Sequence, residues 1–152
     1  VDETLTPDAV LTAGDVMTHP CVTIPARTPL RAAAALLAAH GFTGAPVVGA
    51  NGELLGVVTE ADLVRSRAGG ALSELSEQTA RVEDVMTAPA LVRRASDELT
   101  EVVALMLEAG IRSVPIVEAG RPVGMVSRRD VLRLIARGEY DPSEVRHRRG
   151  LP

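Results

Sequence analysis

Aromatic side chains are nearly missing from this sequence: 152 residues include no tryptophan, one tyrosine and one phenylalanine. Alanine, valine and leucine are left to build the core, and stacking on nucleic-acid bases has almost nothing to work with. Cysteine is as scarce. With Cys21 alone, the chain can form no internal disulfide and no cysteine-based metal cluster, which fits a reducing cytosol. Cys21 reads as a small apolar filler rather than a reactive thiol. No stretch approaches the roughly 20 uninterrupted apolar residues that cross a bilayer, and the first residues carry acids rather than a basic leader. A soluble, unexported, cytoplasmic protein without membrane contact is expected. Excess positive charge is absent too: 16 basic and 20 acidic residues give a net charge of -4 and a pI near 5.4. There is no global pull toward nucleic acid or anionic lipid, so any anion site has to be local.

What is present is repetition. Asp15-Val16-Met17-Thr18 recurs as Asp84-Val85-Met86-Thr87, and the matches run on in constant register through Pro20 and Pro89, Leu30 and Leu99, Leu36 and Leu105, Gly41 and Gly110, and Pro46 and Pro115. After one residue is dropped in a turn, Gly56 aligns with Gly124, Asp62 with Asp130 and Arg65 with Arg133. Two homologous halves account for this, and a 46% hydrophobic composition suffices to bury their cores.

Each half reads the same way. Cys21-Val22-Thr23-Ile24 and Ala90-Leu91-Val92 are β-prone runs after a Met-Thr-x-Pro turn signal. A helix follows over 30–40 and again from 99. Thr28 and Asp97 are the expected side-chain N-caps, Pro29 the first helical residue of the first copy, and Gly41 and Gly110 the stops. Pro46-Val47-Val48 and Leu54-Leu55-Gly56-Val57-Val58 flank Asn51-Gly52, a hairpin signal because both residues tolerate positive φ. Pro115-Ile116-Val117 and Pro122-Val123-Gly124-Met125-Val126 repeat the hairpin. Thr59 and Ser127 then open a second helix in each half. Between the copies, Gly69-Gly70 and small polar residues mark a linker, with a short helical piece expected around 71–78.

That order of elements, headed by Val-Met-Thr, with proline opening the second strand and Gly-x-x-[Ser/Thr]-x-x-Asp closing the hairpin, resembles the cystathionine-β-synthase-type (CBS) motif. The resemblance places motif 1 at 14–67 and motif 2 at 82–136, with an N-terminal segment 1–13, a linker 68–81 and a tail 137–152. It implies an α/β fold in which two β-α-β-β-α motifs pack as a pseudo-twofold (Bateman) module, often paired into a homodimer. It also implies adenosine-containing ligands, such as AMP, ADP, ATP, S-adenosylmethionine or NAD, bound in clefts between the motifs and reported to an effector protein. No cofactor is required.

By that resemblance the binding boxes are Gly56 to Asp62 and Gly124 to Asp130. Their chemistry is sound. A glycine permits close backbone approach, the Thr59 or Ser127 hydroxyl can bond a ribose or phosphate oxygen, and Asp62 or Asp130 can accept from ribose hydroxyls. First-turn amides favour a nearby phosphate. Thr-x-x-Asp and Ser-x-x-Asp are also helix-capping patterns, and capping and binding can coexist. Arg112, Arg128 and Arg129 can supply charge-assisted bonds to phosphate, where the first half offers Thr43 and Glu60. The Asp130 cleft is therefore expected to suit a phosphorylated ligand better, although Arg128 and Arg129 also fit a plain solvated helix face. Backbone around Thr23, Ile24, Ala45 and Val114 occupies the family's adenine-pocket positions, and the same residues are equally good core.

An enzyme needs a convergent nucleophile, base and stabiliser, and His19, His40 and His147 are not placed to join one. No His, Cys and carboxylate spacing suggests zinc or iron. A non-catalytic module without metal is expected. Arg146-His147-Arg148-Arg149 offers a basic patch for an acidic partner, RNA or a neighbouring subunit's phosphate, though a solvated extension is the simpler reading. Nucleic acid is not an expected partner. The other function class weighed is a constitutive dimerisation scaffold with empty clefts.

Overall fold

Each repeat folds into the same six elements in a computed structural model that describes residues 10–68, 78–143 and 145. The first copy forms α1 (Ala13–Val16), β1 (Ile24–Pro25), α2 (Leu30–His40), β2 (Gly44–Val48), β3 (Leu54–Thr59) and α3 (Glu60–Ala68). The second forms α4 (Val82–Val85), β4 (Arg93–Arg94), α5 (Leu99–Ala109), β5 (Ser113–Glu118), β6 (Arg121–Ser127) and α6 (Arg128–Ala136). The expected α/β order is present in both copies, with a one-turn helix added that ends on the Asp-Val of each Asp-Val-Met-Thr. In each of these turns an aspartate carboxylate accepts the amide of the residue before the helix: Asp15 from Thr12 at 2.8 Å and Asp84 from Arg81 at 2.7 Å.

Two three-stranded sheets result, ordered β1-β2-β3 and β4-β5-β6. β1 runs parallel to β2 and β4 parallel to β5, so α2 and α5 serve as the crossover helices that parallel neighbours need. The hairpins are antiparallel. In the second, Ala119 and Gly120 both take positive φ, 52° and 75°, as a two-residue turn of the primed type demands. In the first, only Gly52 does so, at 81°.

Three local expectations are corrected. The strands β1 and β4 are shorter and later than the β-prone runs at 21–24 and 90–92, because the preceding chain is drawn across to the other repeat. Thr18 bridges to Met125 and Thr87 to Val57, and a strand neighbour in the home sheet is met only at Ile24 and Arg93. Thr28 is not the N-cap of α2. Pro29 occupies that position without a side-chain bond, and the Thr28 carbonyl instead accepts the Val82 amide at 2.9 Å. Asp97 is not the cap of α5 either: Glu98 is, while the Asp97 carboxylate folds back to the Arg94 amide at 2.7 Å. Gly41 and Gly110 end their helices as expected, in the left-handed conformation. The helical piece expected at 71–78 falls almost wholly outside the described residues, as does Arg146-His147-Arg148-Arg149.

The heads of the two repeats are exchanged. The Ala13 amide donates to Asp97 and the Gly14 amide to Ala95, while Val82 and Glu83 donate to Thr28 and Ala26. Ala13 is fully buried with Leu99, Val102 and Ile116 in the second core. Val82 is fully buried with Ile24, Val47 and Val58 in the first, a burial that stabilises by roughly 1.5–3 kcal/mol. Each core is thus completed by the other copy. The start of the tail adds to the second core: Val145 is buried in it, and the Tyr140 hydroxyl lies 3.1 Å from Thr100 Oγ1.

Candidate functional site

Exchange of the heads leaves two clefts between the repeats, about 460 Å³ beside Asp130 and about 450 Å³ beside Asp62. Both fall within the usual range for small-molecule sites, about 300–1,000 Å³. The first is walled by the start of α6, by Thr18 and Val22 of the first head segment, and by His40, Phe42 and Thr43. The second is its repeat-related counterpart, walled by the start of α3, by Thr87 and Leu91, and by Gly110 and Ile111. Arg112, Thr43 and Ser113 line both, along the seam where β2 meets β5.

Of the residues expected to form sites, Ser127, Arg128, Arg129 and Asp130 meet in one cleft, Thr59 and Asp62 in the other, and Arg112 in both. Thr23, Ile24, Ala45 and Val114 are in neither lining. Ile24, Ala45 and Val114 are core, each no more than 1% exposed. Sequence reasoning overlooked Thr18 and Thr87, Val22 and Leu91, and the lone phenylalanine Phe42. It noted Arg65 and Arg133 as repeat matches without giving them a place in the site. The signal was available for the threonines, which close the repeated Asp-Val-Met-Thr.

Both boxes do cap helices. Asp62 Oδ2 accepts the Thr59 amide at 2.9 Å, and Thr59 Oγ1 accepts the Asp62 amide at 3.1 Å. Ser127 and Asp130 repeat the reciprocal pair at 2.8 and 3.2 Å. Beyond the cap the two aspartates differ. Asp62 is 4% exposed and carries a close 2.8 Å ion pair with Arg65 and the Thr87 hydroxyl at 3.3 Å. Asp130 has only a long 3.4 Å contact to Arg133 besides its cap, and no bond joins it to Thr18 among the described residues. A carboxylate has about four accepting sites, so Asp130 keeps capacity that Asp62 has spent. The first-turn amides are mostly committed as well: Arg128 donates its amide to Arg112 at 2.8 Å and Asp130 to Ser127.

A family model for the CBS domain matches residues 13–69 and again 82–137. The chain belongs to the CBS-domain family. Its CBS pair is similar to CBSX2, a CBS-pair protein of Arabidopsis thaliana, whose structure in complex with AMP shares 31% identity at a TM-score of 0.74, covering 86% of this chain and 99% of that one. It is also similar to the CBS-domain pair of protein MJ0100 in complex with 5'-methylthioadenosine and S-adenosyl-L-methionine. There the identity is 25% and the TM-score 0.71, covering 82% and 98%. An inosine-5'-monophosphate dehydrogenase of Thermoplasma acidophilum is 31% identical over 111 residues, 72% of this chain but 21% of that protein. Across the curated relatives the chain spans 21% to 47% of their length.

The glycines of the two CBS boxes serve a purpose other than ligand approach. A Cβ on Gly56 would stand 2.6 Å from the Thr87 carbonyl oxygen and 2.9 Å from Met86 Sδ. One on Gly124 would stand 2.5 Å from Met17 Sδ. Glycine is required there because the opposite CBS motif's Met-Thr segment lies flat on the strand, held by paired bonds between Val57 and Thr87 at 2.8 and 2.9 Å. The repeated Met-Thr and the repeated glycine are two halves of one contact.

Proposed function

We propose that this CBS pair is a non-catalytic regulatory module that binds an adenosine-containing ligand in the Asp130 cleft and signals its occupancy to an effector protein. AMP, ADP, ATP, S-adenosylmethionine and NAD are the ligands to be compared. The observation that carries the reading is the unspent accepting capacity of Asp130, 12% exposed, facing a cleft that also holds Ser127 and Arg112, Arg128 and Arg129. Asp130 and Ser127 are assigned to the ribose hydroxyls and the arginines to phosphate. Val22, Met125 and Phe42 offer apolar surface to the base. Binding across α6 and the first motif's head segment ties the two motifs together, which shifts the module toward the closed arrangement and changes the surface an effector meets.

Relatives of known structure support the ligand class, since CBSX2 holds AMP and the MJ0100 pair holds two adenosyl compounds. A cytoplasmic homodimer is the assembly proposed. Val64 and Leu132, related by the repeat, are 65% and 57% exposed on α3 and α6, and their pairing with a second copy would bury them. No described helix is long and apolar enough to cross a membrane.

Calorimetric titration with the five ligands tests the proposal. Saturable binding by the wild type, weakened at least tenfold by Asp130→Asn and little changed by Asp62→Asn, is the expected result. A folded protein indifferent to all five overturns the sensor and leaves a constitutive dimerisation scaffold.

A further inference from the structure

The internal repeat holds inside the two cores and fails on their outer faces. Leu30 and Leu37 of α2 match Leu99 and Met106 of α5, and all four are buried. On the outer side of α2, Ala34, Ala35 and Ala38 are exposed. Their counterparts in α5 are Val103, Ala104 and Leu107. Val103 and Ala104 are buried, in a core to which the tail adds Tyr140 and Val145, whereas Leu107 is 64% exposed. The second helices diverge in the same sense: Arg67 of α3 stands where α6 has Ile135, 39% exposed. Motif 1 thus shows a low face of alanines, and motif 2 a fuller one bearing Leu107 and Ile135.

Charge divides the two faces as size does. α2 carries Arg31 and His40 and no carboxylate, and α5 carries Glu101 and Glu108 and no base. A twofold dimer of this chain can seat each motif on its own kind, or seat motif 1 of each copy on motif 2 of the other. Val64 and Leu132, matched by the repeat, suit either arrangement. Seating like on like sets alanine against alanine and the glutamates of one α5 against those of the second. The crossed seating lays large side chains over small ones, the alternation that fills an interface without voids. It also brings the basic α2 of each copy onto the acidic α5 of the other, so the charge match is made twice in one dimer.

We infer, resting on the homodimer reading, that two copies of this CBS pair assemble crosswise, with α2 and α3 of each seated on α5 and α6 of the other. Leu107 and Ile135 are the anchors, and the alanines of α2 receive them. The helix α6, whose first turn walls the Asp130 cleft, then lies against the first motif of the second copy. Occupancy of that cleft in one copy therefore bears on motif 1 of the other.

The test is cross-linking of the full chain in a Cys21→Ser background, where no other cysteine competes. Chains carrying Ala38→Cys or Leu107→Cys are purified singly and also co-expressed, then treated with a short bismaleimide, and sedimentation velocity is run on the same samples. The expected result is a dimer that joins position 38 to position 107 in the co-expressed sample, identified by mass spectrometry, with no cross-linked dimer from either chain alone. Cross-links within each single-cysteine sample, with none between positions 38 and 107, overturn the crossed seating and leave the homodimer standing. A dimer that cross-links at neither position overturns it as well, because the named helices then do not meet. A wild type that sediments as a monomer at every concentration overturns the homodimer reading itself. Charge gives a second readout. Arg31→Glu is expected to weaken the dimer about fivefold, and Glu101→Arg with Glu108→Arg in the same chain to restore it. Like-on-like seating predicts no change from Arg31→Glu, since like charges face each other before and after. An unchanged affinity, or a weakening that the compensating pair fails to reverse, overturns the match of α2 with α5.

Discussion

Alanine at Gly56 separates the two explanations for a glycine in the CBS box. Gly56 and Gly124 sit in β3 and β6 at backbone angles that any residue adopts, so Gly→Ala adds only the volume of a methyl group. At Gly56 that methyl meets a backbone oxygen, Thr87 O at 2.6 Å, with Ala88 Cβ at 3.2 Å behind it. The Thr87 segment has to lift. Overpacking costs about 1–3 kcal/mol, and the two bonds between Val57 and Thr87 add about 1 kcal/mol each if they break, so a loss of roughly 3 kcal/mol is expected for Gly56→Ala. At Gly124 the near atoms are Met17 Sδ at 2.5 Å, Cγ at 2.8 Å and Cβ at 3.0 Å; the thioether can swing away while the Cβ shifts only with its backbone, and about 1–2 kcal/mol is expected. Urea denaturation monitored by circular dichroism measures both. Met17→Ala combined with Gly124→Ala should recover at least about 0.5 kcal/mol relative to additivity, because the methyl then enters vacated space. Equal losses at the two glycines, a loss under about 0.5 kcal/mol at Gly56, or strict additivity with Met17→Ala would refute the exchange of Met-Thr segments as the reason for glycine.

The two box aspartates should differ in stability as they differ in bonding. Asp62→Ala removes the acceptor of the Thr59 amide, the Thr87 hydroxyl and the Arg65 guanidinium; Arg65 and Thr87 are exposed and return to water, so about 2 kcal/mol is expected from the lost bonds, against about 1 kcal/mol for the cap lost in Asp130→Ala; equal denaturation midpoints would count against an inter-repeat role for Asp62. Burial pushes the Cys21 thiol above its ordinary pKa, so the folded state favours the neutral form. Stability drawn from this is present at neutral pH and lost as pH rises through the folded value. Alkylation at pH 8 should accordingly run slower than for a free cysteine, and a midpoint of the rate profile at or below that of free cysteine would contradict the burial.

The internal register, the hairpins around Asn51-Gly52 and Ala119-Gly120, the glycine stops at Gly41 and Gly110, and the Thr-x-x-Asp and Ser-x-x-Asp caps were all legible in the residues, because each is a short-range relation between neighbours along the chain. The starts of α2 and α5 were misjudged for the opposite reason. Thr28 and Asp97 look like caps locally, but the carbonyl of Thr28 is committed to Val82 and that of Asp97 to Ala13, and those partners lie in the other repeat. Tertiary structure alone decided that the heads cross over, and with that crossing it decided what the box glycines are for and which threonine faces which aspartate. It also set apart two carboxylates at matched positions of the repeat: Asp62 is enclosed and holds the Thr59 amide, Arg65 and Thr87, whereas Asp130, among the described residues, holds the Ser127 amide and Arg133 alone. Charge at the first turn of α3 and α6 could be read from the sequence; that both turns open onto clefts sharing Arg112 could not, since that juxtaposition exists only once the two sheets pack.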